Sequence, residues 1–454
     1  MQPVDVPTPD PLPDEDPRAR DLAGGARGRV AEAGGAQVLE RWILFVPALA
    51  SLAPFVACRG LFERMFWFGD DIDQVNLIDR LGFWRWMWTF YGENFVPLFK
   101  LMWGGCMFLF DGSYGAMIAL VWLNHALNVF LLGRVMRTCG LSWAAVLLAQ
   151  VVFGLAPSTT ETLAFSIEWS VVLSLTFMLL ALDNVLRPRF RPVTIAWVAA
   201  SVLTFVKGVL TGPVLACITL WPERGVSTER PLRRLAHAAL YLLPSVAMGL
   251  LIALEAEGNH RHMAGHGAEA ALYGLWYYCF NPALILFYIG SRGWRTLLLL
   301  GLAKTGLIAW ALRHSSGKPR AFFASLVLFD IANAVLLGIG RYNAGLPTAV
   351  SSRYQYASLI AILPLAGFAL SRAWDRVPLP SLARRGALAA LLLSIGVVCC
   401  RLWNEEMSSW SVWRGSEVHR VLVEDPFPGR NAVPGYPGFP MDRARELIRK
   451  YHLH

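Results

Sequence analysis

Nine apolar runs of about 17 to 20 residues divide this chain, too many for any water-facing core to absorb. They fall at 42–59, 114–133, 141–157, 167–186, 237–256, 296–312, 321–340, 355–371 and 386–402. Each suits a helix that crosses a hydrocarbon layer about 30 Å thick, where only internally hydrogen-bonded backbone is tolerated. The composition agrees: of 454 residues 55% are hydrophobic and only 16% charged, against about a quarter in soluble domains. The expected fold is therefore all-α, a polytopic integral membrane protein with interfacial or re-entrant helices in its outer loops.

A tenth apolar stretch, 192–221, is 30 residues long and interrupted by Lys207-Gly208 and Gly212-Pro213. A single helix would put the basic loops at 187–191 and 223–234 on opposite sides. A hairpin turning near Lys207 keeps both on one side, as the positive-inside rule favours. Counting the hairpin as two gives about eleven transmembrane helices. Residues 96–110 are apolar but short, bounded by Pro97 and Asp111-Gly112, and read as a half-inserted or packed helix. Residues 271–290 read as interfacial or re-entrant, because a span there would place Arg313, Lys318, Arg320, Arg372, Arg376, Arg384 and Arg385 outside. Three regions follow: a disordered cytoplasmic N-terminal tail, 1–40; a transmembrane domain, 41–402, whose first outer loop is 60–95; and an outer-side C-terminal tail, 403–454, ending in a short amphipathic helix at 441–452. The tail at 1–40 has no apolar core and no cleavage site, so the run at 42–59 acts as an uncleaved anchor.

The net charge of +9 sits mostly in loops between apolar runs, as at Arg187, Arg189 and Arg191 or Arg233-Arg234. That is the pattern of cytoplasmic loops, not of a nucleic-acid-binding stripe. Seven cysteines, an odd number with no CxxC spacing, suggest neither a disulfide framework nor a zinc site.

The first outer loop holds the densest chemistry, with Asp70, Asp71, Asp73 and Gln74 amid aromatic residues. Apolar residues at 72, 75, 78 and 81 suit a helix lying in the interface. Asp71 with Gln74 can form a capping box for that helix. Asp70 is not needed as a cap, which makes it the candidate general base, or else a solvated loop acid. Glu161 and Glu168 flank the short second outer loop, and Glu161 can also cap the following helix. Lys207 at the hairpin turn either meets an anion or snorkels to the interface. Arg341, Arg353 and Tyr354 stand where a loop opens a helix. Two guanidinium groups beside backbone N–H donors make a phosphate site, or alternatively anchor an interface. His125, between Asn124 and Asn128, reads as a hydrogen-bonded core histidine. His260, His262 and His266 form an HxHx3H run in a glycine-rich loop, better suited to solvent than to a metal cage.

In chain order these features are an aromatic loop with Asp70-Asp71, then Asn94-Phe-Val-Pro97, a short packed helix, and Asn124-His125-Ala-Leu-Asn128. A second-loop glutamate, Phe205-Val-Lys207-Gly with Pro213, and Ser351-Ser-Arg353-Tyr354-Gln-Tyr356 follow. Across about residues 42–402 this resembles the GT-C superfamily of multi-pass glycosyltransferases, which includes protein O-mannosyltransferases and aminoarabinose transferases. The chain departs from the usual pattern at Gly208, where an acid commonly follows the lysine, and at Val96-Pro97, where Arg-Pro is frequent. The resemblance implies transfer of a sugar from a polyprenyl-phosphate donor to a lipid, glycan or protein acceptor on the outer face. It assigns Asp70 as base with Asp71 assisting, Lys207, Arg341 and Arg353 to the phosphate, and Glu161 to acceptor or sugar hydroxyls. No cofactor is required by it, although some members recruit a divalent metal through first-loop acids. The partners expected are the lipid-linked sugar, its acceptor and membrane lipids, with no nucleic acid, at a bacterial inner (plasma) membrane. Competing readings are an O-antigen-type polymerase or ligase, and a transporter or flippase for lipid-linked sugars, with His125 and Asp330 as its midplane candidates.

Overall fold

The computed structural model describes residues 42–187, 190–223, 230–255, 257–262, 265–281, 293–378, 380–424, 432–433 and 436–454. The expected tail at 1–40, Arg189 and the second half of the 271–290 segment lie outside them. The chain divides into two compact units, 1–46 and 47–454. In the first, residues 42–46 are helical. The second opens with helical residues 47–50, a turn at Ser51-Leu52 and α1 (Ala53–Ala57), with Pro54 in its first turn.

The protein is an all-α, polytopic membrane protein. Seven helices among the described residues are long and apolar enough to cross a membrane, or eight if the bent pair at Pro157 is one span. They contain α5 (Tyr114–Thr138), α8 (Trp169–Val185), α11 (Pro231–Glu255), α13 (Trp294–His314), α14 (Gly317–Arg341), α15 (Ser352–Asp375) and α16 (Ser381–Trp410). The bent pair joins α6 (Trp143–Leu155) to a segment holding α7 (Thr160–Ala164), at 51°. Pro157 causes the bend, since its ring and missing N–H stop the helix before it. Ser113 and Ser142 start α5 and α6 by accepting backbone N–H bonds from Ala116 and Ala145. The described residues also include a two-stranded ribbon of β1 (Ala432–Val433) and β2 (Tyr436–Pro440), and an isolated antiparallel bridge between Tyr91 and Asn94.

The eleven expected spans include three that are drawn shorter. Two are the hairpin, α9 (Val193–Val202) and α10 (Thr211–Leu220), ten residues each and so about 15 Å long. The third is the first run, broken at Ser51-Leu52. The hairpin rises along α8, where Ser201 exchanges hydroxyl bonds with Ser174, and descends along α11, where Arg234 binds the Thr219 carbonyl. Its turn, Val206–Leu210, therefore faces the same end as the loop before α8.

At this end, called here the site end, the first loop also docks. It comprises α2 (Asp70–Leu81), α3 (Phe83–Met87) and α4 (Pro97–Leu109). Leu98 N donates to Leu203 O at the start of α4, while Gly112, just after it, accepts from Trp67 Nε1. Both termini of α4 thus lie at the site end, so this helix packs there and does not cross. Its neighbour α2 turns Ile72, Val75 and Ile78 into protein, not toward lipid as an interfacial helix would. The C-terminal helix α17 (Met441–Lys450) covers its outer side. Arg443 and Tyr451 bind Asp79 at 2.5 and 2.9 Å, and Arg443 Nε reaches Asn76 at 2.9 Å.

From the site end, α12 (Gly267–Phe280) runs beside α14 for 14 residues, too few to cross, and Trp276 meets Trp294 edge to face. The opposite end gathers basic side chains. Arg134 and Arg187 clasp Asp183 at 2.7 and 2.8 Å, and Glu223 binds Arg320 at 2.5 Å and the Gly317 amide.

Candidate active site

Gly69 opens α2 with φ 53°, a conformation that costs glycine little and other residues more. It makes Asp70 the first helical residue. The expected capping box does not form: no side chain caps this helix, Gln74 Oε1 accepts from Trp86 Nε1 at 3.0 Å, and Asp71 turns inward. Asp70 faces a cavity of about 230 Å³, where Tyr91 O–H donates to its Oδ1 at 3.0 Å. Asp71 is fully buried and away from that cavity, accepting from Ser166 Oγ at 2.6 Å. Burial, opposed by the Ser166 bond and aided by the adjacent Asp70 charge, pushes its carboxyl up to about 8. Burial, with Asp70 nearby, raises Asp73 as well.

Cations also line the cavity. Lys207 comes from the hairpin turn, Arg341 from the end of α14, and Arg353 and Tyr354 from the first turn of α15. Lys207 Nζ lies 5.3 Å from the Tyr354 ring and 5.8 Å from Phe205. Of the seven residues singled out from sequence, Asp70, Lys207, Arg341, Arg353 and Tyr354 share this one cavity, although four separate segments supply them. Asp71 and Glu161 do not line it.

Glu161 is instead a buried pin. It pairs with Arg353 at 2.6 Å and Arg414 at 3.5 Å and accepts from Ser351 Oγ at 2.5 Å. These contacts hold the first turn of α15, and with it the Arg353 guanidinium, in place. Arg414, which sequence reasoning passed over, lies in a π-helical continuation of α16 among Phe68, Phe165, Trp410 and Trp413, 4.0 to 5.8 Å from its guanidinium carbon. Its signal was an arginine in an aromatic stretch, Trp410-Ser-Val-Trp413-Arg414, within a segment read as tail. Tyr91, Lys100 and Glu168 also line the cavity. Lys100, the lone cation in the apolar run 96–110, donates to Trp86 O, Thr89 O and Thr89 Oγ1 at 2.9 to 3.0 Å, fixing the turn that carries Tyr91. Glu168 was recognised only as a loop acid, yet it sits within electrostatic reach of Lys207 and Arg353.

The histidine run does not converge. His260 lines the cavity, while His266 stacks on Tyr342 at 5.1 Å. Among the described residues no three His, Cys, Asp or Glu side chains are grouped to hold a metal ion, and Asp70 and Asp71 face different partners. The midplane candidates are internally satisfied. His125 bonds Tyr356 O–H at 2.9 Å and Gly154 O at 3.1 Å. Asp330 pairs with Lys304 and accepts from Ser358.

No family model and no curated protein matches the chain. Among solved structures, the archaeal oligosaccharyltransferase AglB from Archaeoglobus fulgidus, in complex with an inhibitory peptide and a dolichol-phosphate, aligns over 88% of this chain at 12% identity and a TM-score of 0.39. The alignment covers 60% of the length of that protein.

Proposed function

We propose that this protein is a membrane glycosyltransferase that moves a sugar from a polyprenyl-phosphate donor to an acceptor at the site end, facing the outside of the plasma membrane. The observation that carries the reading is the single cavity lined by the Asp70 carboxylate together with Lys207, Arg341 and Arg353. An acid and a group of cations in one small space suit displacement at an anomeric carbon. Asp70 takes the proton of the acceptor hydroxyl, the oxygen attacks the anomeric carbon in line, and the lipid phosphate leaves. The cations stabilise the charge that gathers on the departing phosphate, and such preorganised electrostatics are usually the larger share of catalysis. Tyr91 orients the Asp70 carboxylate, and Glu161 with Arg414 positions Arg353.

The transporter reading has less support, because its midplane candidates His125 and Asp330 are occupied by internal partners. The test uses purified protein in detergent with a panel of polyprenyl-phosphate sugars, following release of polyprenyl phosphate. Asp70→Asn is expected to lower release by a factor of ~10² or more. Equal turnover by both proteins would move the base elsewhere, and no turnover by wild type on any donor would sink the enzyme reading.

A further inference from the structure

Three polar atoms on residues lining the cavity are buried and have no hydrogen-bond partner among the described residues: Gln74 Nε2, Asn94 Oδ1 and His260 Nε2. A buried polar group left without a partner costs about 1–3 kcal/mol, so three gathered at one cavity call for a cause. They come from α2, from the turn after α3, and from the 3₁₀ turn Asn259–His262. Two of the three residues are held by neighbours. Trp86 Nε1, which only donates, fixes the oxygen end of the Gln74 amide and leaves the NH₂ end unmatched. The Asn94 backbone is tied to Tyr91 by two bonds of 2.9 and 3.0 Å.

The charged groups of the cavity contrast with these. Asp70 is engaged by Tyr91, Arg353 by Glu161, Lys100 by two carbonyls and a hydroxyl, Glu168 faces Lys207 and Arg353, and the Glu93 carboxylate packs against Gly258 and Gly340, so Arg341 is the charge left for the lipid phosphate. Apart from that cation, what the cavity leaves unmatched is neutral, a mixture of donor and acceptor. Sugar hydroxyls both donate and accept, so they satisfy such a set without bringing a charge. A ring ammonium would look for a free carboxylate and find the nearby ones engaged.

We infer that Gln74, Asn94 and His260 form a subsite that reads the hydroxyls of an uncharged sugar, beside the cations that take the lipid phosphate. The inference rests on the glycosyl-transfer reading above.

The test titrates the full-length protein in detergent with undecaprenyl phosphate, its glucose conjugate and its aminoarabinose conjugate. The glucose conjugate is expected to bind about tenfold or more tighter than the bare lipid phosphate, as two or three hydrogen bonds would supply. The aminoarabinose conjugate gains no such increment. Asn94→Ala combined with His260→Ala removes the advantage of glucose while bare undecaprenyl phosphate binds within about twofold of wild type. His260→Gln, which keeps a neutral hydrogen-bonding group, retains most of it, and its unfolding midpoint guards against simple misfolding. Equal binding of the glucose conjugate and the bare lipid, or a preference for aminoarabinose, overturns the inference but leaves the phosphate site standing. Failure of all three ligands to bind removes the glycosyl-transfer reading, and the subsite with it.

Discussion

Consecutive side chains on a helix diverge by about 100°, so Asp70 and Asp71 meet different surroundings at the start of α2. Asp70 points into the cavity and Asp71 into protein, against Ser166. The consequence for Asp71 is thermodynamic. Its carboxyl is pushed from 3.8 in the unfolded reference to about 8 by burial first and the Asp70 charge next. Between these values the folded state holds a proton that the unfolded state releases, so this group's contribution to stability is full below about pH 4 and falls as pH rises toward 8. Asparagine mimics the protonated acid. Thermal unfolding in detergent should show the wild-type midpoint dropping several degrees relative to Asp71→Asn between pH 5 and 8, with the variant the more stable at pH 8. Parallel slopes for the two proteins would mean that Asp71 is charged in the fold.

At the scale of elements, the hairpin explains why a glycine follows Lys207. A Cβ added at Gly208 would lie 2.1 Å from Ser201 O and 2.4 Å from Ser201 C, backbone atoms at the end of α9. A side chain cannot fit here, because the returning chain crosses the α9 terminus at this residue. Gly208→Ala is expected to destabilise by about 1–3 kcal/mol or more through this overlap, lowering the unfolding midpoint and release activity together. A variant as stable as wild type would show that the turn is looser than drawn. The hairpin itself was legible in the sequence, since Lys207-Gly208 and Gly212-Pro213 interrupt a run too long for one helix, and local breakers act where they stand. So were Asp70, Lys207, Arg341, Arg353 and Tyr354, as charged or aromatic residues at the ends of apolar runs. Arg414 and the Arg443–Asp79 clamp were not, because these contacts join residues 253 and 364 positions apart (414 − 161; 443 − 79) and leave no periodic trace in a single sequence. The capping-box reading failed for a different reason: Gln74 found a buried indole N–H, and a tertiary partner in low dielectric outweighs a local cap.

Across the whole molecule, the ends of the helices segregate charge. Arg134, Arg187, Arg234 and Arg320 cluster at one end around Asp183, Glu223 and backbone carbonyls, while the cavity and α17 occupy the other. Short loops rich in Lys and Arg are retained in the cytoplasm during insertion. The cavity end should then face outward, where a lipid-linked sugar already flipped across the bilayer could reach Asp70. This orientation is testable without any substrate. In a background lacking the seven native cysteines, single cysteines replace Arg449 in α17 and Arg385 at the start of α16, both exposed positions. A membrane-impermeant maleimide applied to intact cells should label the first and spare the second, with both labelled after the membrane is opened. The reverse pattern would put the cavity in the cytoplasm, where the donor would have to be read on the leaflet on which it is made, and the proposed outer-face transfer would fall.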